Sequence, residues 1–317
     1  MTQAEKRPII IDCDPGQDDA IMLLLAFAAH DALDIRAIVA VAGNVSLDKT
    51  ARNARLIADI AGRTDVAIYA GADRPLKRAL EVADHVHGRE GLEGIEIFEP
   101  RTPLQPQGGV AFMIDHLRAC APNEVTLVAT GPLTNVAQLI ETAPDALSGV
   151  AEIVIMGGAM REGGNVTPSA EYNIFADPDA AAIVFDCGRP ITAIGLDVTH
   201  QLITTPALLE ALRATGRNAA SAAHDILAKY AFVDANRFQT DGAPLHDPCT
   251  IGYLLEPSLF QFKDCNIRIE TQSPVTLGHT SVDFWNATDL PANARWAHSV
   301  NRDGFFALLL SYLEMLS

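Results

Sequence analysis

The run Ile9-Ile10-Ile11-Asp12-Cys13-Asp14-Pro15-Gly16-Gln17-Asp18-Asp19-Ala20 constrains this chain more than any other feature. Three consecutive isoleucines favour a buried strand. Pro15-Gly16 is turn chemistry, and Asp18-Asp19 open an apolar helical pattern through Leu23-Leu24-Leu25-Ala26-Phe27. The strand therefore empties into four carboxylates. Asp12 and Asp14 share one strand face by the two-residue period, and Asp18 and Asp19 fall in the first helical turn, where backbone N–H groups favour anions. Four like charges so close raise one another's pKa values and oppose compaction unless a cation neutralises them. An N-capped helix with solvated acids is the simpler alternative, but capping needs only one Asp.

The ligands on offer are oxygens, with no His or Cys pair at zinc spacing, so a hard divalent ion is expected, with Ca2+ preferred over magnesium for a crowded carboxylate cage. Cys13 alternates to the opposite strand face and reads as a small core hydrophobe. Asp12 is expected to support its neighbours by hydrogen bonding rather than to ligate metal.

Composition limits the classes left. The 317 residues, 49% hydrophobic and 20% charged, carry no Pro/Ser/Gly-rich linker or repeat, so residues 1–317 are read as a single α/β domain. Met1 to Arg7 is polar and no apolar stretch is long enough to span a bilayer, and the five cysteines are odd in number and scattered. A cytoplasmic protein with reduced thiols is expected. A net charge of -17 argues against nucleic acid, membrane and polyphosphate partners.

Short Val/Ile-rich runs at Ile9–Ile11, Ile35–Val41, Val66–Tyr69, Val125–Ala129, Ile153–Met156 and Ile191–Ile194 alternate with helical patterns near Asp18–Ala29, Asp48–Ala61, Val110–Cys120, Asn135–Thr142 and Pro178–Phe185. This predicts a Rossmann-like, doubly wound, mainly parallel sheet with helices on both faces. Helices near Pro206–Ala214, Ala219–Val233 and Asp247–Leu255 follow, then an antiparallel pair at Phe260–Glu270 and Val275–Phe284, and a final helix from Phe305 to Leu316.

In such a sheet the ligand sits beyond the carboxyl ends of the strands. The segments there are polar: Ala42-Gly43-Asn44, Thr130-Gly131-Pro132-Leu133-Thr134-Asn135, and Asn165 through Glu171-Tyr172-Asn173; farther on stands Leu245-His246-Asp247-Pro248. They supply carboxylates, amides and an imidazole but few cations. Singly, Asn44 or Asn173 could be a turn or capping residue. Gly157-Gly158 with Gly163-Gly164 fits neither phosphate-loop spacing.

Taken in order, Asp-Cys-Asp-Pro-Gly-Gln-Asp-Asp, Ala-Gly-Asn, Thr-Gly-Pro-Leu-Thr-Asn, Glu-Tyr-Asn and His-Asp-Pro resemble the inosine–uridine-preferring nucleoside hydrolase family over nearly the whole chain. The resemblance implies N-glycosidic hydrolysis of ribonucleosides to base and ribose, in purine or pyrimidine salvage, at a bound calcium, and commonly a homodimer or homotetramer. Carried over by motif position, Asp14, Asp19 and Asp247 would ligate calcium with the carbonyl of Thr130. Asp18, Asn44, Asn165, Glu171 and Asn173 would hold the ribose, with Met156 beneath the sugar. His87 matches a loop that covers the base, and His246 a position that in one subgroup assists the leaving group. The helix after Ala219 would supply the base pocket through Tyr230, Asp234 and Phe238; pyrimidine-preferring members carry Gln and Tyr at the last two positions, a departure that leaves base preference open.

The chemistry agrees with that assignment. Vicinal hydroxyls can complete a calcium shell, which would exclude 2′-deoxy substrates; Asp14 is suited to act as general base on a metal-bound water; carboxylates and amide oxygens would stabilise an oxocarbenium-like transition state; and His246 would protonate the leaving base. Three alternatives remain at this point. A haloacid-dehalogenase-type phosphatase shares Asp12-x-Asp14 but not Pro15-Gly16 or an evident anion-binding Lys. A calcium-dependent nucleoside or ribose sensor could use the same cage without turnover. A related hydrolase could cleave another N-riboside.

Overall fold

The computed structural model describes residues 6–238 and 242–316, with the side chains of residues 231–238 outside the description. Its strands are β1 (Arg7–Cys13), β2 (Leu33–Ala40), β3 (Ile68–Ala70), β4 (Val125–Ala129), β5 (Val150–Met156), β6 (Ile191–Ile194), β7 (Phe260–Cys265), β8 (Ile267–Ile269), β9 (Thr280–Val282) and β10 (Ala294–Val300). Eight of them form one sheet in the order β3-β2-β1-β4-β5-β6-β10-β7, parallel throughout except that β7 runs antiparallel to β10. Two apolar clusters flank it. Ile9 and Ile11 of β1 point into one and Ile10 into the other, so the isoleucine run is buried on both faces, as a central parallel strand requires.

The chain order reverses between β1 and β4, which are direct neighbours. Their carboxyl ends diverge into loops that run to opposite sides, and this opens the crevice that a ligand can enter. The helix Gln17–Ala28 leaves β1 there and is buried along its whole length, packed against helices Leu47–Ile60, Asn218–Phe238, Pro248–Leu255 and Arg302–Leu313. Truncating one of its leucines, such as Leu24, to Ala would cost roughly 2–5 kcal/mol by cavity formation. That packing makes the helix a rigid mount for the acids in its first turn. Among the described residues no helix is long and apolar enough to cross a membrane.

The C-terminal third departs from the sequence reading. Only β8 and β9 form the small antiparallel pair. Its expected neighbour β7 instead joins the main sheet by pairing with β10, a strand the apolar pattern did not reveal. Ala294-Arg295-Trp296-Ala297-His298-Ser299-Val300 is of mixed polarity because Arg295 reaches Glu152 at 3.1 Å and Thr192 at 2.9 Å, while Trp296 is fully buried. A half-buried charge is satisfied by partners remote in sequence.

Candidate active site

Four acids converge where β1 ends. Asp14 is fully buried, and its Oδ2 accepts the Asn44 backbone N–H at 2.7 Å. Asn44 Nδ2 in turn donates to the Asp14 carbonyl at 3.0 Å and to Asp19 Oδ2 at 3.3 Å. Asp19 also accepts from Gly16 N–H at 3.1 Å and from Thr130 Oγ1 at 3.0 Å, so its place at the third helical position is locked from both sides. Carboxylate oxygens of Asp18, Asp19 and Asp247 all lie within 4.8 Å of one another. Asp14 Oδ1 is buried with no hydrogen-bond partner.

Desolvation raises Asp14, Asp19 and Asp247 above the ordinary carboxylate range, and Asp14 and Asp247 are pushed further by the charges around them. The backbone and side-chain donors on Asp19 pull the other way without overcoming burial. No Lys or Arg lines the adjoining cavity among the described residues. An orphaned buried carboxylate oxygen beside three gathered carboxylates is a donor set for a hard divalent cation. Asp12 stands apart from the trio: its Oδ1 accepts Asn135 Nδ2 at 2.7 Å, and burial raises it to about 7. Asn135 also accepts from Ala72 N–H at 2.7 Å and donates to the Ala40 carbonyl at 3.3 Å, and so ties the ends of β1 and β2 together.

The cavity spans about 690 Å³, including the solvent at its open mouth. Asp18, Asn44, Thr130 and Asp247 line its acidic end. Met156, Asn165, Glu171 and Asn173 form another wall. Glu171 caps the short helix Tyr172–Ala176, accepting Asn173 N–H at 2.9 Å and Ile174 N–H at 3.2 Å, and it also takes Gly158 N–H at 2.9 Å. Asn165 Oδ1 accepts the Tyr172 N–H at 2.9 Å. Asn173 Nδ2 donates to the Thr130 carbonyl at 2.9 Å and the Met156 carbonyl at 3.2 Å. The Thr130 oxygen assigned to metal by motif position thus already holds an amide partner, and its second lone pair is what a cation would use.

His87, Tyr230 and His246 also line the cavity. His87 is buried. It closes the short helix Asp84–His87, and its ring lies nearly parallel to that of Tyr230, 6.1 Å away. His246 Nδ1 lies 2.8 Å from Thr199 Oγ1, and burial lowers its pKa to about 3. A neutral ring whose Nδ1 accepts the threonine O–H carries its proton on Nε2. Asp234 and Phe238 belong to helix Asn218–Phe238, but their side chains lie outside the described residues.

Several lining or supporting residues were not singled out from sequence, among them Tyr172, Thr199, His200, Asn135 and Gln17. Thr199 and His200 follow β6, so the strand-end rule that found the other loops would have reached them too. Tyr172 lies inside the Glu-Tyr-Asn motif, and its hydroxyl donates to the Glu81 carbonyl at 2.9 Å.

Close backbone approach makes the acid cluster sensitive to small changes. A Cβ added at Gly43 would stand 2.0 Å from Asp14 Oδ2. Gly43→Ala is therefore expected to displace that carboxylate and lower kcat by roughly 10²-fold, the scale of an ångström misplacement. Circular dichroism with steady-state kinetics checks this; unaltered kcat would mean that the Asp14 position is not critical.

The model of the inosine-uridine preferring nucleoside hydrolase family matches residues 9–307. A pyrimidine-specific ribonucleoside hydrolase, RihA, of Photobacterium profundum is 47% identical over 308 residues, covering 97% of this chain and 98% of that protein. Among solved structures, a purine-preferring ribonucleoside hydrolase from Gardnerella vaginalis superposes with a TM-score of 0.91 at 29% identity, covering 98% of this chain and 99% of that one. A plant nucleoside hydrolase, PpNRh1, does so with a TM-score of 0.89 at 31% identity and the same coverage.

Proposed function

We propose, from the premise that this chain belongs to the inosine-uridine preferring nucleoside hydrolase family and is a ribonucleoside hydrolase, that it cleaves pyrimidine ribonucleosides in a calcium-dependent reaction with Asp14 as general base. The observation that carries the reading is the buried acid set at the β1/β4 switch, opening on a cavity lined by amides, imidazoles and no Lys or Arg among the described residues. A phosphorylase would need a cation facing the sugar to hold its anionic co-substrate; hydrolysis needs none. The pyrimidine preference rests on the 47% identity to a relative named as pyrimidine-specific.

Asp14, Asp19 and Asp247 are the side chains that would hold calcium, with the Thr130 carbonyl, and Asp18, whose carboxylate is gathered with those of Asp19 and Asp247, would take the ribose. When bound, the ion would supply positive charge that neutralises the cage, gathers vicinal hydroxyls and acidifies water. Asp14, fully buried at the end of β1, accepts the proton of the attacking water. Glu171 and Asn173, fixed by their backbone and carbonyl partners, orient the sugar and face the cation-like centre that develops as the N-glycosidic bond breaks. His246, in its imidazolium form, would give its Nε2 proton to the departing base and return to the neutral ring that burial favours, with Nδ1 held at Thr199 Oγ1.

Release of free ribose from uridine, cytidine, inosine and adenosine in phosphate-free buffer tests the proposal. Faster release from the two pyrimidines is expected; equal or faster release from the purines would overturn the preference. His246→Ala is expected to slow uridine cleavage by roughly 10²-fold, within the span of general acid catalysis, and to change that of an activated nitrophenyl riboside little. Equal losses on both substrates would remove His246 as proton donor.

A further inference from the structure

Gln17 sits within the acidic motif without a role in the chemistry above. It is fully buried, and its Oε1 meets His87 Nδ1 in a hydrogen bond. The imidazole is held close over Gly16, where an added Cβ would meet Nδ1 at 2.5 Å and Cε1 at 2.8 Å, and Tyr230 lies nearly parallel to the ring. With the amide oxygen of Gln17 turned to the ring, the shared proton belongs to His87 Nδ1, and Gln17 Nε2 is buried without a hydrogen-bond partner. In a neutral ring the other nitrogen is then an acceptor, and His87 lines the substrate cavity.

We propose that Gln17 is a positioning residue: it fixes His87 in the Nδ1–H tautomer and so presents Nε2 to the substrate as an acceptor for an N–H or O–H donor. This rests on the ribonucleoside-hydrolase reading for its substrate, though not for its geometry. Free imidazole favours the opposite tautomer, so without Gln17 the nitrogen facing the cavity would carry a proton and repel the donor. The donor is either a base N–H or a sugar hydroxyl, and both carry the same requirement. A misassigned proton at such a contact leaves two donors face to face, which discriminates more strongly than a lost apolar contact.

The ¹⁵N spectrum of histidine-labelled, calcium-loaded protein, with His87→Phe assigning the resonances, reads the tautomer without turnover. A protonated Nδ1 and bare Nε2 are expected in the wild type, shifting towards Nε2–H in Gln17→Met. A wild-type ring protonated on Nε2 would overturn the proposal even if hydrolysis proceeds. A wild type with the expected tautomer but no ribose release would instead count against the hydrolase reading. In kinetics, Gln17→Met is expected to raise KM for uridine by roughly tenfold, and to add nothing in the His87→Phe background. An undiminished effect in that background would mean that Gln17 acts otherwise than through His87. N3-methyluridine and 5′-deoxyuridine identify the donor: the Gln17→Met penalty should disappear for whichever analogue lacks it. An equal penalty on uridine and both analogues would overturn the acceptor role.

Discussion

Asp14→Asn is expected to lower kcat by roughly 10³-fold while leaving the fold intact, within the range attributed to general base catalysis. The substitution is nearly isosteric, and the Asn44 N–H that reaches Oδ2 at 2.7 Å can still be accepted by an amide oxygen. What is lost is basicity at a carboxylate whose second oxygen is buried and unpartnered, as one oxygen of Asp12 also is. Because burial and the charge of Asp19 oppose ionisation of Asp14, removing its charge should hold or raise the melting temperature of the metal-free protein. Stability and activity are therefore expected to move apart. Calcium titration calorimetry on the variant separates weakened binding from lost basicity: saturating calcium should not restore turnover. Turnover within tenfold of wild type would remove Asp14 as the base.

Removal of calcium by a chelator is the second large effect. Activity is expected to vanish and to return with added calcium, and less fully with magnesium, which demands a tighter octahedral shell than a crowded carboxylate cage offers. An ion at about 1,000 times its Kd stabilises by about 4 kcal/mol, so stripping should lower Tm by roughly 5–10 °C at neutral pH. The size of that drop should depend on pH in a definite direction. The pKa values of Asp14, Asp19 and Asp247 are raised in the metal-free fold, so their contribution is fully present below the unfolded carboxylate value and is lost as pH rises through the raised ones. The metal-free protein thus weakens towards neutral and alkaline pH, where the ion offsets the repulsion. The Tm gap between loaded and stripped protein is expected to widen from pH 5 to pH 8. A gap that narrows over that range would mean that the ion does not bind these acids.

Much of the fold was legible because it depends on local patterns. Ile9 to Ile11, Val125–Ala129 and Ile191–Ile194 are apolar on both faces, which in a chain of alternating strands and helices has few solutions besides a doubly wound parallel sheet. β10 escaped because Arg295 and His298 interrupt its apolar run, and the tolerance of Arg295 depends on Glu152, Thr192 and Tyr253, which come from other parts of the chain. The run Phe260–Glu270 was expected to pair with Val275–Phe284, and its latter part does so through β8 and β9, while Phe260–Cys265 pairs with β10 instead. Two strands near in sequence are the default pair, and only the competition for the sheet edge at β6 decides otherwise.

For the site, the sequence by itself determined the chemical inventory and its approximate place: acids at the end of β1, amides after β2, β4 and β5, and a histidine–aspartate pair at a helix start. Residue types and strand ends are local properties, and the rule that ligands lie beyond strand carboxyl ends turns them into a location. The tertiary structure supplied the distances that motif position only implied, with Asp247 against Asp18 and Asp19, and the Asn135 amide that Asp12 was expected to find among its neighbours. It also decided that the Thr130 carbonyl is shared with Asn173 and that His87 is buried against Gln17. Such pairings join positions tens to hundreds of residues apart, and their energies arise from desolvation and hydrogen-bond geometry, which do not exist until the chain has closed around them.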